Sequence, residues 1–278
     1  MESTLFHDLF QTFTTAELRQ LKKFVASPYF NGRQQLSPLL DFLTEARLRS
    51  ETPDAKSAFA AAFPAKPFDD QKWRLTLSQL FKLTEEFLAL QEVYASPVLE
   101  KTHLAQAYRK RSLPKHFQRT LEALRRAQEQ QAQRPADFFE DQFRIEWESY
   151  RHLSAGKRTE AFNLQEVSDV LDKTFIARKL RHACLSLSHQ AVFKTEYEFG
   201  LLPQILTWVE MHPALLDEPA ITLYFHCYLT LTEAAAPAQS PITNHQSPHF
   251  QRFQKLLFDF GERLPEEERR NLFLLAIN

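Results

Sequence analysis

Apolar residues recur at helical spacing along most of the chain. One such stripe covers residues 5–13, and a second begins after Thr14, which stands three residues before Glu17 in the arrangement of a capping box. The second helix should end before Ser27-Pro28, because the residue preceding a proline is pushed out of the α region. Two further helices are expected, one through residues 39–43 and one around residues 55–63.

The strongest pattern of the N-terminal part runs from about Asp70 to Tyr94, with Asp69 or Asp70 able to cap it. Its apolar residues occupy two adjacent stripes, Trp73 belonging to one and Phe87 to the other. A helix that is apolar over so wide an arc is covered from two sides. The pattern therefore predicts an N-terminal helical bundle over residues 1–95 with this helix at its centre.

After Ser96-Pro97 the apolar pattern predicts helices that follow one another in pairs. Many of these helices begin with Pro or a capping residue. The uncharged, proline-containing tract 234–248 is expected to be a loop. Antiparallel helix pairs of this kind are the units of α-solenoids, so residues 96–278 are predicted to form a degenerate, tetratricopeptide-like array in an all-α protein. The predicted helices span residues 97–111, 114–133, 136–154, 164–196, 201–211, 218–235, 249–262 and 266–278.

Composition removes several classes of chemistry. The chain holds only four glycines, and the nearest two, Gly156 and Gly200, are 44 positions apart, so a glycine-rich phosphate or dinucleotide loop is excluded. The formal net charge of −1 gives no global attraction to nucleic acid or to an acidic membrane. The first residues lack the pattern of a secretory signal, and the apolar run 220–231 is too short to span a bilayer, so we expect a cytoplasmic protein without a membrane partner.

Three segments carry a resemblance to a known family. These are the Ser27-Pro28-Tyr29-Phe30-Asn31 segment with the residues just before it, the stretch from Phe68-Asp69 to Leu80, and the closing residues 271–278. Together they resemble an uncharacterised family of intracellular, all-helical bacterial proteins, mostly from Bacteroidetes. The resemblance implies no activity. It implies longer members that continue into further tetratricopeptide-like pairs, so this chain is expected to be truncated at its C-terminal end.

The sequence contains no convincing pattern for a metal site or a catalytic site. His182 with Cys184 and His226 with Cys227 stand at helical spacings that diverge, whereas two ligands from one helix normally stand four positions apart. His245 and His249 have that spacing, but Pro248 interrupts any helix between them. No nucleophile elbow is present, and both cysteines are expected to be buried thiols. We therefore predict no metal, no cofactor and no enzymatic activity.

A polar stripe and a basic segment are the candidate partner-binding features. Arg178, His182, Ser186 and His189 recur at spacings of four, four and three, either as a solvated face or as a surface for an acidic peptide. Residues 101–134 hold nine basic and two acidic residues, a net charge of +7, while residues 137–148 hold five acids and one base, a net charge of −4. The nine bases are Lys101, Arg109, Lys110, Arg111, Lys115, Arg119, Arg125, Arg126 and Arg134.

Pairing of the two predicted helices across residue 135 would neutralise much of this basic face. Arg109, Lys110 and Arg111 are expected beyond easy reach of the acids, which with Lys115 leaves a phosphate or acidic-partner site as the alternative. Tyr29 and Phe30 either staple two helices or form an exposed apolar anchor.

The closing helix is expected to leave a partly exposed apolar patch at residues 272–277, which would be covered by a following helix or by self-association. The sequence as a whole predicts a non-enzymatic, cytoplasmic, protein-binding scaffold. The alternative is a nucleic-acid-binding or regulatory protein that uses residues 101–134.

Overall fold

A computed structural model describes residues 4–156, 161–193, 195–235 and 248–277. Every regular element in these ranges is helical and none is a strand, which confirms the all-α prediction. The chain divides into two compact units, Met1–Pro97 and Val98–Asn278. Each unit has its own hydrophobic core.

The first unit is a helical bundle arranged around α5. This helix packs against α1, α2 and α3, in agreement with its predicted central position. Phe and Leu side chains from all five helices form the core, with Phe59 and Leu80 almost fully buried. The helices are α1 (Leu5–Thr12), α2 (Thr15–Ala26), α3 (Leu36–Leu48), α4 (Ala55–Ala62) and α5 (Asp70–Ala95).

Local capping fixes several of the helix starts. The Thr14 side chain accepts a hydrogen bond from the Glu17 amide at 3.2 Å, and the Glu17 carboxylate accepts one from the Thr14 amide at 2.6 Å, so the predicted capping box is confirmed. Asp69 caps α5 by accepting a hydrogen bond from the Lys72 amide at 3.0 Å. These short-range contacts explain why the helix starts follow from sequence alone.

The second unit contains eight described α-helices and two short 3₁₀ helices, Pro213–Asp217 and Gly261–Arg263. All eight α-helices end within three residues of the predicted bounds. They are α6 (Pro97–Lys110), α7 (Pro114–Gln130), α8 (Ala136–Leu153), α9 (Leu164–Phe193), α10 (Leu202–Met211), α11 (Pro219–Ala235), α12 (Pro248–Phe260) and α13 (Glu266–Ile277).

Neighbouring helices of the second unit pack in succession, which makes the fold solenoid-like. α8 packs on α9, α9 on α11, and α11 on α12 and α13. Phe139, Leu180, Leu223 and Phe253 lie in the main core formed by these helices. A smaller core joins α6, α7 and α8 through Ala105, Phe117, Leu121, Leu124 and Ile145.

The expected apolar patch at residues 272–277 forms only in part. Leu272 and Leu275 are buried in the main core, so their predicted exposure is wrong. They stand three positions apart on the face of α13 that packs against α9 and α11. Phe273 and Leu274 are exposed, as expected, on another face of the same helix.

Arg47 fastens the end of α1 to α3. Its guanidinium donates hydrogen bonds to the carbonyl oxygens of Gln11 at 2.9 Å, of Phe13 at 2.6 Å, and of Phe10. The last carbonyls of a helix lack partners within the helix, and Arg47 supplies them with a charged donor.

Replacing Arg47 by methionine should therefore lower the free energy of unfolding of the first unit by about 2–3 kcal/mol, since hydrogen bonds to a charged group are lost. Arg49→Met is the matched control, because Arg49 is exposed and Glu45, at 3.7 Å, is its only ion-pair partner among the described residues; its effect should stay within about 0.5 kcal/mol. Urea unfolding followed by Trp73 fluorescence, with Trp147 and Trp208 replaced by phenylalanine, reports on this unit. Equal losses in the two variants would contradict the assignment.

Candidate protein-binding surface

The outward side of α9 carries a regular row of exposed residues. The row follows alternating steps of four and three positions, the spacing of a coiled-coil seam. All nine of its residues are exposed, and we call the row the α9 stripe. It consists of Leu164, Ser168, Leu171, Phe175, Arg178, His182, Leu185, His189 and Val192.

Five residues of the α9 stripe are apolar, with 47–62% of their surface exposed. Other apolar residues of α9, such as Ile176, Leu180 and Cys184, are buried in the core. The helix is therefore apolar both toward the core and toward solvent. Exposed apolar patches are a common feature of interaction surfaces, so the α9 stripe is a candidate for binding another protein.

A groove opens beside this row, between α9 and α10. It has a volume of about 360 Å³, and its apolar walls include Phe175 and Ile176 on α9, Leu201 just before α10, and Ile205 and Trp208 on α10. Asp172 and Gln204 also line the groove and give it polar groups. An apolar groove with few polar groups suits the apolar face of a helix from another protein.

The predicted polar stripe is wrong in its composition. Arg178, His182 and His189 are exposed, but Ser186 is buried and its hydroxyl lies 3.4 Å from His182 Nδ1. Leu185, an apolar residue of the α9 stripe, lies between His182 and His189, and Phe175 precedes Arg178.

Two of those polar residues already have partners in the chain. Arg178 donates a hydrogen bond to Asp137 at 3.1 Å and forms an ion pair with Glu140, both on α8. His189 stacks on Phe193, with 4.3 Å between ring centroids, and its Nδ1 lies 2.9 Å from the Tyr197 hydroxyl. Among the described residues, the side chain of His182 has only its weak contact with Ser186.

Charge is distributed unevenly along the α9 stripe. Glu166, Asp169 and Asp172 are exposed beside its N-terminal half, and Lys179 and His182 lie along its C-terminal half. Within the described part of the chain, Glu166, Asp172 and Lys179 form no ion pair. The groove and the stripe thus present an acidic end and a basic end.

The basic segment 101–134 is partly neutralised within the fold. Arg109 pairs with Glu148 on α8, and the two side chains are only 15% and 6% exposed. The expectation that Arg109 lies beyond reach of the acids is therefore wrong. The small core around Ala105 and Ile145 draws α6 against α8 and brings the two side chains together.

Other bases of the segment are paired as well. Arg125 binds the Glu146 carboxylate with two hydrogen bonds, of 2.9 and 2.6 Å, and Arg126 lies 3.9 Å from Glu122. Arg134 lies 3.7 Å from Glu218.

The remaining five bases of the segment are exposed. No acid lies within ion-pairing distance of them among the residues that the structure describes, although Arg111 donates to the Ala107 carbonyl at 3.2 Å. They are Lys101, Lys110, Arg111, Lys115 and Arg119.

Tyr29 and Phe30 differ in their placement: one is packed against α2 and the other is exposed. Phe30 stacks on Phe24 at a centroid distance of 4.1 Å and so staples the turn to α2. Tyr29 is 88% exposed, and its ring meets the Phe30 ring edge-on with 4.9 Å between the centroids. Of the pair, only Tyr29 is placed to act as an apolar anchor.

Cysteines and histidines form no evident reactive centre in the described ranges. Cys184 and Cys227 are free and buried, and burial raises the pKa of the Cys184 thiol well above its usual value. Within these ranges no group of three or more His, Cys, Asp or Glu residues is placed to hold a metal ion. His245 lies outside the described residues. Likewise, no described helix is both long and apolar enough to cross a membrane.

Comparisons of the chain with protein-family models, with curated proteins and with solved structures gave no match. The family resemblance of the sequence therefore stays a prediction.

The buried Arg109–Glu148 pair gives a stability prediction. Arg109→Gln should lower the free energy of unfolding by about 3 kcal/mol, because it leaves the Glu148 carboxylate buried with its closest cation removed. Lys110→Gln, at the next and exposed position, should change it by less than about 0.5 kcal/mol. Urea unfolding of the two variants measures the difference, and similar stabilities would contradict the pairing.

His226 gives a pH prediction. Burial, together with the smaller effect of the charges of Arg252 and His249, lowers the pKa of its imidazole to about 4. The unfolded chain takes up a proton near the usual pKa of about 6.5 while the folded chain does not, so stability is lost as the pH falls from about 6.5 to 4.

Because His226 keeps contact with solvent, we expect this loss to be about 1–2 kcal/mol and not the full value of the shift. His226→Gln removes the titrating group. The free energy of unfolding should therefore fall less in the variant than in the wild type as the pH is lowered from neutral. A constant difference across this range would contradict the prediction.

Proposed function

We propose that this protein is a non-enzymatic scaffold that binds an amphipathic helix of another protein along the α9 stripe. The observation that carries the proposal is the row of exposed apolar residues at heptad spacing beside an open groove. A partner helix with apolar residues at alternating steps of three and four would place them against Leu171, Phe175 and Trp208. Aromatic residues in such a position are frequent energetic anchors of interfaces.

Charge supports one kind of partner helix. The end of the partner that lies near Asp172 should carry Lys or Arg, and the end near Lys179 and His182 should carry Asp or Glu. Complementary charges of this kind fix the orientation of a bound helix more than they raise its affinity. We also propose a cytoplasmic location, which the two free, buried thiols support because reduced cysteines are typical of that compartment.

The proposal can be tested with a photo-crosslinking residue, p-benzoylphenylalanine, placed at position 175 in cells of the native host. We expect adducts with another protein, and mass spectrometry should map them to a segment with helical apolar spacing and an acidic end. Trp208→Glu should reduce these adducts at least about fivefold, since it puts a charge into the groove wall.

The same crosslinker at position 75 is the control, because Leu75 is an exposed apolar residue of α5. Three results would contradict the proposal: equal adducts at positions 75 and 175, adducts only with a second copy of this chain, or adducts with segments that lack the helical spacing.

Nucleic-acid binding is the second candidate, favoured by the five unpaired bases of residues 101–134. Four of the nine bases are engaged with acids, so we rank this function lower and expect no binding at physiological salt. Fluorescence anisotropy with single-stranded and duplex DNA tests the ranking. Tight binding that weakens with salt by about 0.7–0.9 logarithmic units per phosphate contact, and that is lost in Lys110→Glu/Arg111→Glu, would reverse it.

A further inference from the structure

A row of neighbouring aromatic rings lies on α8. The ring centroids of Phe143 and Trp147 are 6.1 Å apart, and those of Trp147 and Tyr150 are 5.2 Å apart. The three residues follow steps of four and three positions, so they share one side of the helix. Phe143 and Tyr150 are partly buried, whereas Trp147 is 42% exposed. We call these three residues the α8 aromatic row.

The α8 aromatic row runs beside the N-terminal half of the α9 stripe. Two ion pairs, Asp137 with Arg181 and Glu140 with Arg178, join α8 to α9. Residue numbers rise on α8 as they fall on α9, so the two helices are antiparallel. Both helices have the same rise per residue, and this register therefore continues along them and brings Trp147 level with the apolar start of the stripe.

The groove between α9 and α10 lies on the other side of the α9 stripe. Arg181, which reaches α8, and Asp172, which lines the groove, stand nine positions apart on α9. At 3.6 residues per turn, this spacing places them on opposite sides of the helix. The exposed apolar surface thus continues from Trp147 on α8, across Leu171 on α9, to Trp208 on α10.

This surface is too wide for one helix laid along α9. Packed helices stand about 8–10 Å apart, so the axes of α8 and α10, on either side of α9, are about 16–20 Å apart. A helix with its side chains is only about 10–12 Å wide. One helix laid along α9 therefore leaves Trp147 or Trp208 in water, whereas two helices side by side cover both.

The two sides of the surface also differ in charge. Arg144 and Arg151 lie seven positions apart, on the same side of α8 as Trp147. Their side chains are 38% and 43% exposed, and the acids of α8 that pair with them are less exposed, at 6% to 27%. Cations thus dominate the accessible surface around Trp147, whereas Asp172 contributes a carboxylate to the wall of the groove between α9 and α10.

From this arrangement we infer that the partner presents a helical hairpin. One of its helices lies between the α8 aromatic row and the α9 stripe, and the other lies in the groove between α9 and α10. The inference rests on the proposed function and extends it from one partner helix to two. Two helices in these positions are one interhelical distance apart, so they also pack against each other, as the helices of a hairpin do.

Charge distinguishes the two helices of the hairpin. The helix over α8 should be rich in Asp and Glu, because Arg144 and Arg151 face it. The helix in the groove should carry Lys or Arg near Asp172. Opposite charges on the two helices fix which of them enters which position.

The crosslinker p-benzoylphenylalanine, placed at position 147 and, in a separate variant, at position 201, tests the inference in cells of the native host. Leu201 is 59% exposed and lines the groove. We expect both positions to label one protein, on two helical segments joined by a short loop. The segment labelled from position 147 should be the acidic one.

Three results would overturn the inference: labels on one and the same helix, no adducts at one or both positions, or adducts only with a second copy of this chain. Adducts at position 175 without any at position 147 would overturn it and leave the proposed function standing. The two claims are therefore tested separately.

Synthetic peptides of the labelled segments measure what the second helix adds. Fluorescence anisotropy with the full chain should show that a peptide with both helices binds at least about tenfold more tightly than either helix alone, because the second contact becomes intramolecular. Binding of one single helix as tight as that of the pair would contradict the hairpin. This comparison uses the wild-type chain and depends on no variant.

Trp147→Ala assigns the gain to α8. It should weaken binding of the two-helix peptide at least about tenfold and leave binding of the groove helix alone unchanged, which also shows that the variant is folded. Phe258→Ala, at an exposed aromatic position of α12, is the matched control and should change neither. Unchanged binding of the two-helix peptide by Trp147→Ala would show that the second helix does not lie on α8.

Discussion

The packing of α9 between α8 and α11 is the interaction on which the second unit depends. Ile176, Ala177, Leu180 and Ala183 are all buried there, and each large apolar side chain removed from water contributes about 1.5–3 kcal/mol. Because this face of α9 satisfies the core, the outward residues of the same helix are not needed for it. The partner helix that we propose would explain their apolar character.

A set of polar contacts ties the same helices together at one end. Arg181 on α9 lies 3.3 Å from Asp137 on α8 and 3.8 Å from Glu268 on α13, and the Tyr224 hydroxyl on α11 donates to Glu268 at 2.7 Å. Burial raises the pKa of Glu268 despite these partners. These contacts link the start of α13 to α9 and α11, and Leu272 and Leu275, farther along the same helix, are buried in the main core.

Much of the fold could be predicted from the sequence, because helical period, caps and prolines are local signals. The capping box at Thr14 and the bounds of α6 to α13 follow from such signals. The burial of Ser186 and the pairing of Arg109 with Glu148 do not. Both depend on which face of a helix meets which neighbour, and a single sequence does not specify that.

The α9 stripe is not evident from the sequence for a related reason. Apolar residues at helical spacing are typical of a buried face, and between Leu164 and Val192 two such faces overlap along one helix. Leu171 and Phe175 belong to the row with alternating steps of four and three positions, and Leu180 does not. Which of the two faces turns to solvent still depends on the placement of α8 and α11.

The most direct test of the account compares one substitution on the two faces of α9. Leu180→Ala removes a fully buried side chain and should lower the free energy of unfolding of the second unit by about 2–5 kcal/mol. Leu171→Ala, on the α9 stripe, should lower it by less than about 1 kcal/mol, since half of that side chain is already in water. Urea unfolding followed by circular dichroism measures both. A loss for Leu171→Ala as large as that for Leu180→Ala would show that the stripe belongs to the core and is not a surface for a partner.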